Sequence, residues 1–384
     1  MAKLVIFPVG LLITPDGKRL DALFLESIKS LAEDNVFVAV SDAPKPQWFD
    51  EKCGKPLLFC NAPALGSGSR KSGKFVDKLL TLNAGRLQKS QIVMLGFTEN
   101  DIPMYANSKS VLIRCDWRTD ICARIRDLNY GIPCALPSEL GRILVLLDEQ
   151  NPWYYTAADP AYDTYVLTNG ATRAGHDEEL KVLASRLQDC LKRGNPTYRQ
   201  EFMIHLLSSL YATTAFQSAS TWTYYPSSHS DNTGKEIIAE FVEIARTTFK
   251  ARKKPDPLII RHKPTAARHT SAQNGRMDPR EQVESIHLHP SYKGTLAGKT
   301  VVIFDDYTTY GLSFSVAAAF LKKAGAAKVL AVAAGKFPRT PYIHEIEIGS
   351  DPFAPVSKFS ILATRQQNGV IAPEASSAFK RKFA

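Results

Sequence analysis

The clearest chemical signal in this 384-residue chain is an acidic pair, Asp305-Asp306, that directly follows the apolar run Val301–Phe304. The run predicts a buried strand, and open α/β sheets bind ligands beyond the carboxyl ends of their strands. A short loop containing Gly311 then leads into a helix pattern at Ser313–Lys323. Such a loop can direct backbone N–H groups and the positive end of a helix at a phosphate. Because two adjacent carboxylates suit the vicinal hydroxyls of a ribose, the segment predicts a site for a ribose phosphate.

This segment resembles the phosphoribosyl-pyrophosphate (PRPP) motif of the type I phosphoribosyltransferases. The resemblance implies that Asp305 and Asp306 are catalytic residues that bind the ribose hydroxyls. It also implies a 5-phosphate loop made of Tyr307, Thr308, Thr309, Tyr310, Gly311, Leu312 and Ser313. Tyr310 departs from the family pattern, in which a small hydroxyl-bearing residue precedes the glycine, and its ring would crowd the phosphate.

Upstream residues extend the resemblance to the ComF-type branch of that family, over about residues 220–336. They are Leu258–Thr265, Arg268, Arg280, Gln282, Val283, Leu296, Gly298 and Lys299. The branch often has Gln where Arg268 stands and Asn where Gln282 stands. The zinc-binding cysteine motif found at the start of many ComF proteins is absent.

The resemblance also supplies candidate diphosphate contacts. Arg261, Lys263 and Arg268 lie where the family carries a mobile basic loop over the pyrophosphate, and guanidinium groups can hold a diphosphate by two hydrogen bonds. Ser227 and Ser228 occupy the position of the pyrophosphate loop. For both segments a plainer interpretation stays open, since they also fit an ordinary turn and a solvated basic loop or nucleic-acid patch.

The charge distribution agrees with a local anionic ligand. The formal net charge is +10, and residues 251–300 contribute about +6 of it. Residues 1–150 are nearly neutral, which argues against broad electrostatic binding of DNA by that part of the chain. A small polyphosphate therefore explains the basic balance better than nucleic acid does.

The first 115 residues resemble the haloacid-dehalogenase-like hydrolases in layout. In that superfamily the first strand ends in Asp-x-Asp, but here it runs into Pro8-Val9-Gly10. Val38–Ser41 matches the second strand, and Lys74 or Lys78 could stand for the motif lysine. In the final acidic motif Phe97 replaces the first Asp, which leaves Glu99 and Asp101. Phosphoryl transfer through an aspartate needs that first-strand carboxylate. We therefore expect an inactive domain used as a scaffold, sensor or interface, with an unrelated α/β domain as the alternative.

Together these patterns predict an α/β protein of two domains. We expect a haloacid-dehalogenase-like Rossmannoid three-layer domain at 1–145, an aromatic connector and helical lead-in at 146–220, and a phosphoribosyltransferase fold with a parallel sheet at 221–384. The six cysteines show no C-x-x-C pair, so reduced thiols and a cytoplasmic location are expected. No apolar run reaches the roughly 20 residues that span a bilayer, so no membrane partner is expected.

The function implied by the resemblance is a phosphoribosyltransferase that forms or cleaves an N-glycosidic bond, with PRPP or a nucleotide as its ligand. Mg²⁺ is the implied cofactor, held through PRPP and Asp305/Asp306, although no protein metal site is assigned. Two other classes stay open. One is a regulated effector of bacterial stress or antiviral defence, controlled by a protein or nucleic acid at the first domain. The other is a non-catalytic sensor of PRPP or a nucleotide. The acceptor base and the oligomeric state, including a homo-oligomer, are not revealed by the sequence.

Overall fold

The computed structural model describes residues 2–82, 87–127, 130–147, 153–171, 178–228, 237–251, 257–265 and 277–381. The chain divides into two compact units. The first comprises residues 1–149 with 247–250, and the second comprises residues 150–246 with 251–384. Both are built from strands and helices in the α/β manner. Among the described residues, no helix is both long enough and apolar enough to cross a membrane.

The first unit contains one six-stranded sheet. Its strands are β1 Leu4–Pro8, β2 Val36–Ser41, β3 Leu57–Asn61, β4 Ile92–Gly96, β5 Val111–Cys115 and β6 Ile132–Cys134. Its helices are α1 Ala22–Leu31, α2 Phe49–Cys53, α3 Lys74–Leu82, α4 Asp101–Ser108, α5 Ala123–Asp127 and α6 Leu140–Leu146. The spatial order is β3-β2-β1-β4-β5-β6, and every neighbouring pair is parallel.

The apolar composition of these strands follows from that arrangement. A parallel sheet is covered on both faces, so its strands carry continuous apolar runs rather than alternating ones. All five residues of β1 and all five of β4 are buried. The strand order reverses direction between β1 and β4, and such a switch point opens a crevice at the carboxyl ends of the strands. The predicted parallel α/β sheet is confirmed for this unit.

The second unit is larger and is centred on another six-stranded sheet. The described strands of the unit are β7 Tyr155–Ala157, β8 Asp163–Asn169, β9 Ala219–Tyr224, β10 Ile259–Arg261, β11 Ile286–Leu288, β12 Thr300–Thr308, β13 Lys328–Lys336, β14 Tyr342–Ile348, β15 Phe359–Gln366 and β16 Val370–Ile371. Of these, β10 pairs with β11 and β14 with β15 in two small sheets outside the main one. The unit's helices are α7 Glu178–Arg193, α8 Arg199–Ala212, α9 Ile237–Thr248 (whose last two residues are assigned to the first unit), α10 Arg280–Ser285, α11 Leu312–Lys323 and α12 Pro373–Arg381.

The main sheet of this unit is mixed, with the order β16-β7-β8-β13-β12-β9. The four strands β8, β13, β12 and β9 are parallel, whereas β7 and β16 join antiparallel at one side. The register pairs Thr308 with Lys336 and Lys336 with Asn169, while Phe304 pairs with Tyr224. The carboxyl ends of all four parallel strands therefore meet at one edge of the sheet.

The segment 146–175 differs from its interpretation as a turn-rich connector. Within it, residues 155–157 and 163–169 form β7 and β8, and β8 lies directly against β13. The three-residue β7 is too short to show the period-two alternation by which a strand is recognised in sequence, and β8 ends in a continuous buried run, Val166–Asn169. The segment therefore helps to build the sheet that carries the acidic pair.

Candidate functional site

The acidic pair lies at the carboxyl end of β12, where the sequence predicts it. Its carboxylates are half-buried and bond back to their own backbone. Asp305 Oδ1 accepts the N–H of Asp306 at 2.9 Å, and Asp306 Oδ1 accepts the N–H of Tyr307 at 2.7 Å. The other oxygen of Asp306 receives the ammonium of Lys192, from the last turn of α7. These bonds fix the direction of both carboxylates.

The loop after the pair turns tightly at Gly311, which has a left-handed backbone with φ of +77°. A Cβ at this position would lie 2.7 Å from the carbonyl oxygen of Tyr342, so only glycine fits. The carbonyl of Gly311 accepts the hydroxyl of Tyr162 at 3.2 Å and the N–H of Ser315 at 3.0 Å. The carbonyl of Tyr310 accepts the N–H of Tyr342 at 2.9 Å. The carbonyl groups of the loop are therefore occupied and held in place.

The N–H groups of the same loop are unoccupied. Within the part of the chain that the structure describes, none of the N–H groups of Thr309–Phe314 donates a hydrogen bond. The side-chain hydroxyls of Thr309 and Ser313 are likewise without a partner there. The last three of these N–H groups open α11, where the helix dipole is positive. Loop carbonyls that are bonded and N–H groups that are not give this segment the chemistry of an anion cradle.

Tyr307 is used mainly for packing. Its ring stacks on Phe337 at a centroid distance of 5.1 Å, beside two glycines, Gly170 and Gly335, where a Cβ would lie within 3 Å of the ring. Burial raises the pKa of its phenol. Because its N–H is donated to Asp306, a contact between Tyr307 and phosphate stays a prediction.

The segment 225–228 after β9 lies beside β12, since the N–H of Tyr225 donates to the carbonyl of Phe304 at 2.7 Å. Ser227 and Ser228 are half-buried, and within the described chain their hydroxyls make no hydrogen bond. Both therefore offer free hydroxyls at the same edge of the sheet as Asp305, which agrees with the predicted pyrophosphate loop without testing it.

Arg261 has a geometry that its predicted role did not include. Only 1% of the residue is exposed, and its guanidinium donates to the carbonyl of Ser227, to Ser285 Oγ at 2.6 Å and to Gln282 Oε1 at 3.0 Å. Gln282 also accepts the hydroxyl of Tyr225 at 2.9 Å. In this structure Arg261 therefore orders the 225–228 segment, and a direct phosphate contact stays a prediction.

The two other basic candidates are Lys263 and Arg268. Lys263 lies two residues beyond Arg261 and is exposed. Its backbone N–H donates to the carbonyl of Ser285 at 3.4 Å, and among the described residues its ammonium group has no partner. Arg268 lies outside the described residues.

Sequence reasoning missed three residues at this edge: Lys192, Tyr162 and Lys336. Lys336 ends β13 and is buried, with its ammonium donating to the carbonyls of Phe337 at 3.1 Å and Arg339 at 2.6 Å. Burial lowers its pKa. A lysine that closes the apolar run Val329–Gly335 was the signal available in the sequence. Lys192 and Tyr162 reach the site only through tertiary packing and left no such signal.

The first unit presents a closed crevice between β1 and β4. The ring of Phe97 lies 3.6 Å from where a Cβ of Gly10 would be, and the guanidinium of Arg118 covers that ring at 4.4 Å. Arg118 also donates to the carbonyl of Ile13, and its side chain forms an ion pair with Asp120 at 2.7 Å. The place where a catalytic carboxylate would act is thus filled by an aromatic ring and a paired arginine.

Asp101, one of the two acidic residues that survive in the hydrolase-like pattern, is fully buried. Its carboxylate accepts the N–H groups of Phe97 at 3.0 Å and Thr98 at 2.8 Å, and pairs with Arg70 at 2.5 Å. The other survivor, Glu99, is exposed and pairs with Arg124. Over the residues that the structure describes, no group of three His, Cys, Asp or Glu side chains is placed to hold a metal. Through its bonds to the N–H groups of Phe97 and Thr98, Asp101 stabilises the turn before α4.

The two candidate motif lysines lie on α3. The ammonium of Lys78 donates to the carbonyl of Leu65, and Lys74 is exposed at the start of α3. A scan against protein-family models and a search of curated proteins return no match to this chain. The geometry of the second unit and the sequence motifs therefore indicate the function.

Proposed function

We propose that the second unit binds PRPP or a related ribose phosphate and acts as a phosphoribosyltransferase, forming or cleaving an N-glycosidic bond. The observation that carries this proposal is the run of unbonded N–H groups at Thr309–Phe314, directly after the paired carboxylates of Asp305 and Asp306. Free N–H groups at a helix start select an anion, and carboxylates beside them select hydroxyl donors. A sugar phosphate carries both kinds of group.

Each part of the ligand has a matching part of the site. The 5-phosphate would accept hydrogen bonds from the Thr309–Phe314 loop, and the ribose hydroxyls would donate to Asp305 and Asp306. The hydroxyls of Ser227 and Ser228, with Lys263, would face the diphosphate. Cleavage at the anomeric carbon develops positive charge on the ribose, so nearby carboxylates stabilise that transition state.

Mg²⁺ fits this site as a companion of the diphosphate. Mg²⁺ usually keeps several waters and binds through one or two carboxylates together with substrate phosphates. The described part of the second unit brings two adjacent carboxylates, not three or more ligands, to the edge of the sheet. Asp305 and Asp306 would contribute oxygens to such an ion, which neutralises phosphate charge when bound.

The first unit is proposed as a non-hydrolytic scaffold or partner-binding module. The filling of its crevice by Phe97 and Arg118 and the pairing of Asp101 with Arg70 support that role. Whether such a partner is a protein or a nucleic acid is a matter for binding experiments.

The test is calorimetric titration with PRPP in the presence of Mg²⁺, followed by product analysis with a panel of nucleobases. Replacing Asp305 and Asp306 by Asn should weaken binding by about 100-fold, because two charge-assisted hydrogen bonds are lost. Asp351→Asn is the matched control, since Asp351 pairs with Lys293 on an exposed loop. Unchanged binding in the double variant would show that the site is wrong, and binding without turnover would favour the sensor.

A further inference from the structure

The last turn of α7 carries two neighbouring basic residues that behave differently. Arg193 folds back on its own helix and pairs with Asp189 at 2.6 Å. Lys192 instead crosses to β12, where its ammonium contacts Asp306 and lies 5.9 Å from the centroid of the Tyr307 ring. Basic residues are generally favourable at a helix C-terminus, but that does not explain why only Lys192 reaches the acidic pair.

The charges around the loop explain what such a contact achieves. A polyanionic ligand seated on Thr309–Phe314 would lie next to two carboxylates, and like charges at this range repel one another. The carboxylates are needed as acceptors, so their charge has to be compensated rather than removed. The side chain of Asp306 is 23% exposed and that of Lys192 is 57% exposed, so a ligand can reach the ion pair from solvent.

We propose that Lys192 is a positioning residue of the ribose-phosphate site, acting as the cation that lets the Asp305-Asp306 pair tolerate the phosphates of its ligand. This inference rests on the proposed function. The ammonium of Lys192 orients Asp306 through Oδ2, while the backbone N–H of Tyr307 donates to Oδ1. The carboxylate of Asp306 then faces the ribose with one lone pair of Oδ2 still available.

The experiment compares PRPP binding by the full chain and by the variants Lys192→Gln, Lys192→Arg and Lys181→Gln. Lys181 is the matched control because it lies in the same helix, about 16 Å along the axis, and pairs within the helix with Glu178. Lys192→Gln should weaken binding by about fivefold at 50 mM NaCl, and the difference should shrink at 0.5 M NaCl because salt screens exposed charges. Lys192→Arg should restore most of the affinity, and Lys181→Gln should bind like the parent chain.

The outcomes separate the two proposals. If the parent chain binds PRPP and the Asp305/Asp306 double variant does not, equal or tighter binding by Lys192→Gln overturns the role of Lys192 and leaves the proposed function in place. If the parent chain does not bind PRPP, the proposed function fails and the role of Lys192 fails with it. Thermal unfolding of each variant confirms that the fold is retained, as expected for a side chain with this exposure.

Discussion

The hydroxyl of Tyr162 donates to the carbonyl oxygen of Gly311 at 3.2 Å and lies 3.0 Å from Ser315 Oγ. Tyr162 immediately precedes β8, in a part of the chain far removed from the motif, yet it is buried against the loop. The loop after the acidic pair is thus held from outside by a residue that its own motif does not contain. The carbonyl of Gly311 thus has two donors, since it also accepts the N–H of Ser315 at 3.0 Å.

Removing this hydroxyl should loosen the loop. We expect Tyr162→Phe to lower the free energy of unfolding by about 1–2 kcal/mol and to weaken PRPP binding by about tenfold. Tyr154→Phe is the control, because the hydroxyl of Tyr154 bonds to no group in the described chain. Calorimetric titration and urea unfolding measure the two effects. Equal behaviour of the two variants would mean that the hydroxyl does not hold the loop.

Gly311 should be far less tolerant of substitution than a glycine in open space. Gly311→Ala combines a left-handed backbone with a clash against the carbonyl of Tyr342, and should cost at least about 3 kcal/mol. Gly298 has a similar φ of +68° with nothing within 4 Å of its Cβ position. Gly298→Ala should therefore incur only the cost of a left-handed backbone for a residue with a Cβ, about 1 kcal/mol. Thermal unfolding of the pair checks the comparison, and similar losses would contradict it.

Replacing Arg261 should change stability more than replacing its exposed neighbour does. Arg261→Met leaves Gln282 and Ser285 without their buried donor, so we expect a loss of about 3 kcal/mol. Lys263→Gln should leave stability within about 0.5 kcal/mol but reduce PRPP affinity several-fold. Chemical denaturation and titration separate the two roles. If Arg261→Met remained as stable as the parent chain, the positioning role would be lost.

The first unit should lack phosphatase activity, and Asp101 should matter for stability alone. Asp101→Asn breaks a buried ion pair with Arg70, for which about 3–5 kcal/mol is the usual cost. Glu99→Gln removes an exposed pair and should cost no more than about 0.5 kcal/mol. Unfolding curves measure this contrast, and a phosphatase assay with Mg²⁺ checks the activity. A measurable activity that disappears in Asp101→Asn would overturn the scaffold interpretation.

Lys336 should make stability depend on pH in one direction. Burial lowers its pKa in the folded chain below the unfolded value of 10.5, so the unfolded state holds its proton more tightly. The contribution of Lys336 to the free energy of unfolding is therefore lowest below its folded pKa and rises as pH increases toward 10.5. Relative to Lys336→Met, the parent chain should gain stability in urea unfolding experiments as the pH is raised toward 10.5. A difference that stays flat or falls would contradict the assigned shift.

Local patterns were sufficient for much of the architecture. The helix expected at Ser313–Lys323 begins one residue earlier, at Leu312, and the strand expected at Val301–Phe304 forms but runs from Thr300 to Thr308. It continues because pairing with β13 extends to Lys336, which the polar residues after Phe304 do not indicate. Strand β8 was missed for the same reason, since its partner β13 lies far along the chain.

The residues of the candidate site also differ in whether the sequence alone reveals them. The acidic pair, the hydroxyls and the glycine follow one another in the chain, so a motif could reveal them. Lys192, Tyr162 and the buried network of Arg261 come from other elements, and their contacts exist only after the sheet has assembled. Sequence therefore indicates the candidate ligand-binding groups, whereas the structure is needed to find the groups that hold them.

The edge strand β16 closes the second unit late in the chain. It pairs with β7, and α12 follows it with Phe379 stacked on His205 at 4.1 Å. On a ribosome, β12 and its loop would emerge well before the residues that complete their sheet. Synthesis runs at roughly 5–20 residues per second, so the ligand loop would spend several seconds attached to an unfinished sheet. Nascent chains of this unit are expected to gain the ability to bind ligand only after α12 has left the exit tunnel.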